Sequence, residues 1–327
     1  MIVSCVQINE QLQLVPVTAE KVVQVSESDD TKVWLDLVDP SVAELEQWLD
    51  QLKIEGLARR LCIEARDRPG FYPLKQELFF VLPILIKNED SHNEDSNEVD
   101  YITFICRENL LFSMHRKVIL DSKQKSVLEL SDSWIPARSI AGLLSALLIN
   151  MSLNYLSHSI RLRDSILALE ERMDRAPDEV GAEEIIDMRS RLIELGTVVS
   201  DQLPPLQAIS KIRKPFFNID EAEEYMNCAL VNIQSVDSSL DWLDGRITAI
   251  RTGYDMHAQD QTNRRLNVLT ILSAIFNPAV LMAGFWGMNF TNMPLLTEPY
   301  GYFVAVSLMV LTGVFMYLFF RKGGWFD

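Results

Sequence analysis

Residues 266–286 read LNVLTILSAIFNPAVLMAGFW, and this stretch decides the fold. After Arg264 and Arg265 no charged residue appears until Glu298. At 1.5 Å per residue the quoted run is about 30 Å long as a helix, one hydrocarbon thickness. A second uncharged run, residues 300–320, has the same reach. A short polar loop joins them, so the pair is predicted to be a hairpin with both chain ends on one side. Arg264, Arg265, Arg321 and Lys322 flank its open end, whereas the loop carries only Glu298. The excess of Lys and Arg puts both termini in the cytoplasm and the loop outside.

The first span is not uniformly apolar. Asn263, Asn267, Thr270, Ser273 and Asn277 step by three or four residues and share one helical side. Asparagine in hydrocarbon is costly unless it is hydrogen-bonded or wet. Ser or Thr alone would read as helix–helix hydrogen bonding. Five polar residues on one stripe read as a water-lined pathway. Pro278 lacks a backbone donor, so a kink is expected there, with the carbonyl of Ala274 freed. A single such helix cannot enclose a pore, so a pathway requires several copies around an axis.

The chain has 327 residues and a net charge of −16, from 30 Lys and Arg against 46 Asp and Glu. That balance argues against nucleic-acid binding, which needs a basic surface. It suits a soluble acidic body that tolerates cations. Cys5, Cys62, Cys106 and Cys228 are scattered and read as reduced thiols of a cytosolic domain. MIVSCVQINEQ has no basic region followed by an apolar core, so no cleavable signal is expected and the hairpin serves as the insertion signal.

Residues 1–120 read as an N-terminal cytoplasmic α/β domain. Short β-rich runs lie at 3–6, 12–15 and 32–38, with Pro16 stopping the second and Asp39-Pro40 ending the third. Ser41 and Glu44 form a capping-box pattern ahead of a helix to about Leu52. A short helix over 56–66 follows. Strands are expected at 77–86, 101–106 and 110–115, the first two separated by the acidic loop KNEDSHNEDSNEVD. Residues 121–216 read as a helical region, with helices over 137–173 and 183–212, the latter broken at Pro204-Pro205. Residues 217–286 form one long stalk helix that continues into the first span. Met226, Leu230, Ile233, Leu240, Leu243, Ile247, Ile250 and Tyr254 give it a heptad-like seam for packing along its length. Residues 287–299 are the external loop, 300–320 the second span and 321–327 a basic tail. The stalk enters the membrane without a linker, so motion in the soluble part can reach the polar stripe.

The segment FWGMNFTNMP, with Gly287-Met288-Asn289 at the exit of a first span and a second span at the C-terminus, closely resembles CorA-type magnesium channels. The resemblance covers nearly the whole chain, including WLDLVDP at 34–40, Arg68-Pro69 before the strand at 78–81, and the basic tail with Trp325. It implies a funnel-shaped homopentamer in the inner membrane, with an α+β cytoplasmic domain (an αβα sandwich), a stalk helix and a two-helix hairpin. It implies a passive channel for hydrated Mg²⁺, or for Co²⁺ or Ni²⁺, with Gly287, Met288 and Asn289 as selectivity ring. By the same alignment Asn263, Leu266, Thr270, Ser273, Asn277, Val280 and Gly284 line the pore, which leaves Asn267 toward a neighbouring helix. Asn289 would hold the cation through its water shell. No cofactor is implied beyond the transported ion, and the partners are four further copies and the lipid.

The chemistry fits independently of the resemblance. Mg²⁺ sheds water reluctantly. A ring of amides and carbonyls accepts hydrogen bonds from a hydrated cation without holding it too tightly to leave. Gly287 and Asn289 would also suit a helix C-cap, since both tolerate left-handed geometry. Many relatives carry a glutamate where Leu295 stands, so Glu298 is the candidate attracting charge of the loop. They usually carry an apolar residue at the Asn277 position. Stalk positions that align with the family's regulatory carboxylates are Cys228 and Thr252, so no regulatory metal site is assigned.

Two other readings differ in testable ways. The related ZntB branch links to Zn²⁺ and protons; it commonly has Val or Ile where Met288 stands. No His or Cys lies beyond His257 to ligate zinc directly. The other is a membrane-anchored structural or sensing protein that does not conduct. An enzyme is not expected: His92, His115, His158 and His257 are scattered, and there is no phosphate loop or nucleophile elbow.

Overall fold

The computed structural model describes residues 2–25, 31–64, 68–87, 97–116, 135–288 and 299–323. It divides into two compact units, residues 1–250 and 251–327.

The first unit is built on a seven-stranded sheet. Its strands are β1 (Ile2–Ile8), β2 (Leu14–Pro16), β3 (Val33–Val38), β4 (Gly70–Pro73), β5 (Leu78–Lys87), β6 (Asn97–Cys106) and β7 (Leu110–His115), in the order β2-β1-β3-β7-β6-β5-β4. All neighbours are antiparallel except β3 and β7, which run parallel at the centre. β3 and β7 are buried at every position, as a central strand covered on both faces requires. One face carries Leu35, Leu37, Phe79, Val81, Ile105 and Phe112. It packs on α1 (Ala19–Val25), α2 (Val42–Gln51) and α3 (Gly56–Glu64) through Val22, Leu45, Leu49, Ala58 and Cys62.

The other side is covered by α4 (Ile140–Arg175) and α5 (Ala182–Ile209). Tyr155 of α4 and Gln202 of α5 are buried and meet at the carbonyl of Pro83. Gln202 Nε2 donates to the Tyr155 hydroxyl at 2.7 Å and to the Pro83 oxygen. The first half of α4 is apolar enough to cross a membrane, yet most of it is buried inside this unit. It is a core helix.

The expected αβα sandwich is therefore present. Several expected details differ. α5 runs unbroken through Pro204 and Pro205. Two donors are lost there, but Pro205, Leu206 and Ile209 are buried, and packing outweighs the local preference. The acidic loop is shorter than expected: β5 reaches Lys87 and β6 starts at Asn97, with Lys87 opposite Asn97. Glu98 and Asp100 are strand residues, and 88–96 lie outside the described residues. Pro16 closes β2 from within, which an edge strand tolerates. α1, β4 and the two-residue ribbon β8 (Arg213–Lys214) with β9 (Phe217–Asn218) are further elements that no sequence pattern marks.

α6 (Glu223–Trp286) is a single helix of 64 residues, preceded by one 3₁₀ turn at Ile219–Ala222. In the first unit Met226, Ile233, Leu240, Leu243, Ile247 and Ile250 are buried, so the heptad seam is used against the chain's own body. The second unit holds the rest of α6 and α7 (Gly301–Lys322). Both are apolar and long enough to span a membrane, and almost none of their apolar windows is buried.

Candidate functional site: the polar side of the first span

Each spanning helix has one sheltered side. On α6 this is Ile271, Ala274, Ile275, Pro278, Met282 and Trp286; on α7 it is Ala305, Met309, Thr312, Gly313, Met316 and Phe320. Small side chains at Ala274, Ala305 and Gly313 suit close helix approach in a membrane. α6 remains one helix through Pro278, and the proline leaves the Ala274 carbonyl without its i+4 donor.

Asn263, Leu266, Thr270, Ser273, Asn277, Val280 and Gly284 all lie on the exposed side of α6. Leu266 is 54% exposed and Val280 64%. Their spacing alternates four and three, so they form a narrow seam of the kind that faces other helices. Thr270 is satisfied locally, its hydroxyl donating to the Leu266 carbonyl at 2.8 Å. Among the described residues the side chains of Asn263, Ser273 and Asn277 find no hydrogen-bond partner. Asn267 is exposed as well. These amides face outward from the two-helix hairpin. In hydrocarbon that arrangement costs several kcal/mol per unpaired group; in contact with water or another copy it does not.

α6 ends at Trp286. Gly287 N–H closes the last turn on Ala283 O at 2.9 Å, and Met288 N–H reaches Phe285 O at 3.3 Å. Gly287 is not among the residues with positive φ, so it is not a left-handed cap. A methyl group there would sit 3.1 Å from Ala283 O, tighter than most contacts. Met288 is exposed. Asn289 and Glu298, the third filter residue and the loop charge, lie outside the described residues. The indole Nε1 of Trp286 is buried without a hydrogen-bond partner among the described residues.

The soluble unit offers one buried polar array that no sequence motif marks. Trp34 Nε1 donates to Ser113 Oγ at 2.8 Å, and Ser113 donates to Asp36, whose other oxygen lies 3.2 Å from His115 Nε2. All four are buried. The carboxylate is the shared acceptor, so the serine is tied down rather than activated, and the array fastens β3 to β7. Among the described residues no group of His, Cys, Asp or Glu is arranged to hold a metal ion. Cys228 is exposed on α6.

The CorA-like Mg²⁺ transporter family model matches residues 29–322, from the strands of the soluble unit to the end of the second span. This chain belongs to that family. It is 22% identical over 315 residues to the cobalt/magnesium transport protein CorA of Methanocaldococcus jannaschii, covering 93% of this chain and 95% of that one. It is 24% identical over 321 residues to the magnesium transport protein CorA of Haemophilus ducreyi, covering 90% and 92%. Among solved structures, the complete CorA magnesium transporter of M. jannaschii superposes with a TM-score of 0.78 at 16% identity, covering 99% of both chains. The ZntB cytoplasmic domain of Vibrio parahaemolyticus gives 0.60 at 11% identity over 79% of this chain and 98% of that one. The CorA fold thus extends over both units. The chain is an integral-membrane transporter of divalent cations by family, with apolar helices to match.

Proposed function

We propose that this CorA-family chain conducts hydrated Mg²⁺ through a homopentameric pathway lined by the exposed side of α6. The observation that carries the reading is the seam from Asn263 to Gly284, exposed at every position and bearing amides that find no partner among the described residues. Water-filled surroundings remove the cost of those amides, and five copies provide them. Gly287, Met288 and Asn289 form the outer ring, where carbonyls and amides bind the ion's waters instead of the ion. Glu298 attracts cations to the mouth. The membrane is the inner membrane, both termini are cytoplasmic, and the membrane potential drives entry. The CorA proteins compared above carry magnesium or cobalt in their names, which supports that class of cargo.

The test is uptake into liposomes of purified protein. Mg²⁺ or Co²⁺ uptake that needs no pH gradient and is lost in Asn289→Ala supports the reading. Uptake of Zn²⁺ that follows an imposed proton gradient supports the ZntB-like mode instead. A pentamer that moves none of these ions is the non-conducting homologue.

A further inference from the structure

Two pairs of cations close the membrane spans at the end away from the loop. Arg264 and Arg265 precede the apolar run of α6, and Arg321 and Lys322 end α7. All four are exposed, and among the described residues none of them forms an ion pair. Each cation continues a stripe of exposed apolar side chains. On α6, Val268 and Leu272 follow Arg264 at steps of four, and Leu269 follows Arg265 at four; none belongs to the seam of Asn263, Thr270 and Asn277. On α7, Leu318 precedes Arg321 by three, and Phe319 and Phe315 precede Lys322 by three and seven. A long cationic side chain on such a stripe lays its stem along the apolar surface and lifts its charged head to the level of the headgroups. Arg321 and Lys322 also complement the C-terminal end of α7. Arg264 and Arg265 have no such use, because α6 continues as one helix on either side of them.

We propose that the two pairs bind the headgroups of anionic phospholipids in the leaflet at the open end of the hairpin. Charge complementarity selects this occupant. A zwitterionic headgroup carries its own cation and offers little net attraction. An anionic one presents a phosphate that a guanidinium grips with two donors. The chain as a whole carries −16, so its attraction to an anionic surface is local to these cations and fades within a Debye length of about 8 Å. Each cation near such a surface strengthens association about fivefold. The inference needs the hairpin to lie in a membrane and does not need the chain to conduct.

The experiment reconstitutes the full-length chain in phosphatidylcholine vesicles. The association of spin-labelled phosphatidylglycerol with the protein is compared with that of spin-labelled phosphatidylcholine. The parent should favour the anionic label about fivefold at low salt, and the preference should fall as salt rises. Arg264→Gln, Arg265→Gln, Arg321→Gln and Lys322→Gln together should bring it to parity, whereas Arg→Lys at the three arginines should keep most of it. Basic residues also direct insertion, so Arg264→Gln with Arg265→Gln is read in a chain that keeps Arg321 and Lys322, and should lower the preference part-way. Glycerol phosphate, which has the phosphate without the acyl chains, should not displace the label. Equal association of both labels with the inserted parent, or a preference that survives loss of all four cations, overturns the proposal. Displacement by glycerol phosphate at equal concentration overturns it as well, since the site would then take a soluble anion.

Discussion

At the scale of single residues the pathway rests on side chains that differ in how far the chain already satisfies them. Thr270 returns its hydroxyl to Leu266, so Thr270→Val should change ion uptake little. Asn277 has no such partner among the described residues, and Asn277→Leu should lower uptake about tenfold, the worth of one hydrogen bond to a charged species, while leaving the oligomer intact. Unchanged uptake would make Asn277 a packing residue. In the soluble unit burial raises the thiol pKa of Cys106, which therefore stays protonated through the mildly alkaline range. Iodoacetamide at pH 8 should label exposed Cys228 in the folded protein and reach Cys106 only after unfolding; early modification of Cys106 would show that β6 is open. The polar stripe could be read from spacing alone, because period and residue type coincide there. The Trp34–Ser113–Asp36–His115 array could not, since its β3 and β7 members are 77 to 79 residues apart and meet only through the parallel pairing of the two strands.

Individual elements followed their sequence signals where periodicity was long or a cap was explicit. Ser41 accepts from Glu44 N–H, and the Glu44 carboxylate accepts from Ser41 N–H at 2.9 Å, as the capping box anticipates. The Ser41 hydroxyl, which donates to the Glu44 carboxylate at 2.7 Å, and after it the Ser41 N–H hold the Glu44 pKa below the usual range. Ser41→Ala should cost roughly 1 kcal/mol in chemical denaturation of the soluble unit. Signals failed where burial overruled propensity. Pro204 and Pro205 stay inside α5 because that helix is anchored by Gln202, whose amide serves both Tyr155 and Pro83. Gln202→Leu should therefore cost about 1–3 kcal/mol, by leaving the buried Tyr155 hydroxyl and Pro83 carbonyl only their long 3.4 Å hydrogen bond to each other. The seam of the stalk was visible, but its occupant was not. Hydrophobic spacing says that a helix packs, and only the fold shows that Met226 to Ile250 pack on the chain's own body.

For the whole molecule, two features of the chain set the outline: a net charge of −16 and two uncharged runs near the C-terminus. They separate an acidic soluble unit from a membrane hairpin, and the family match spans both. The apolar stretch of α4 shows the limit of that reading, since composition alone would make it a third span and burial makes it core. The central claim is that water and cations run along one side of α6. Cysteines placed singly at Ser273, Asn277, Val268 and Leu272, in a Cys228→Ser chain reconstituted in liposomes, test it with a charged thiol reagent during Mg²⁺ uptake. The account predicts fast modification and block of uptake at Ser273 and Asn277, and neither at Val268 or Leu272. Equal reactivity at all four positions, or none at the first two, would contradict it.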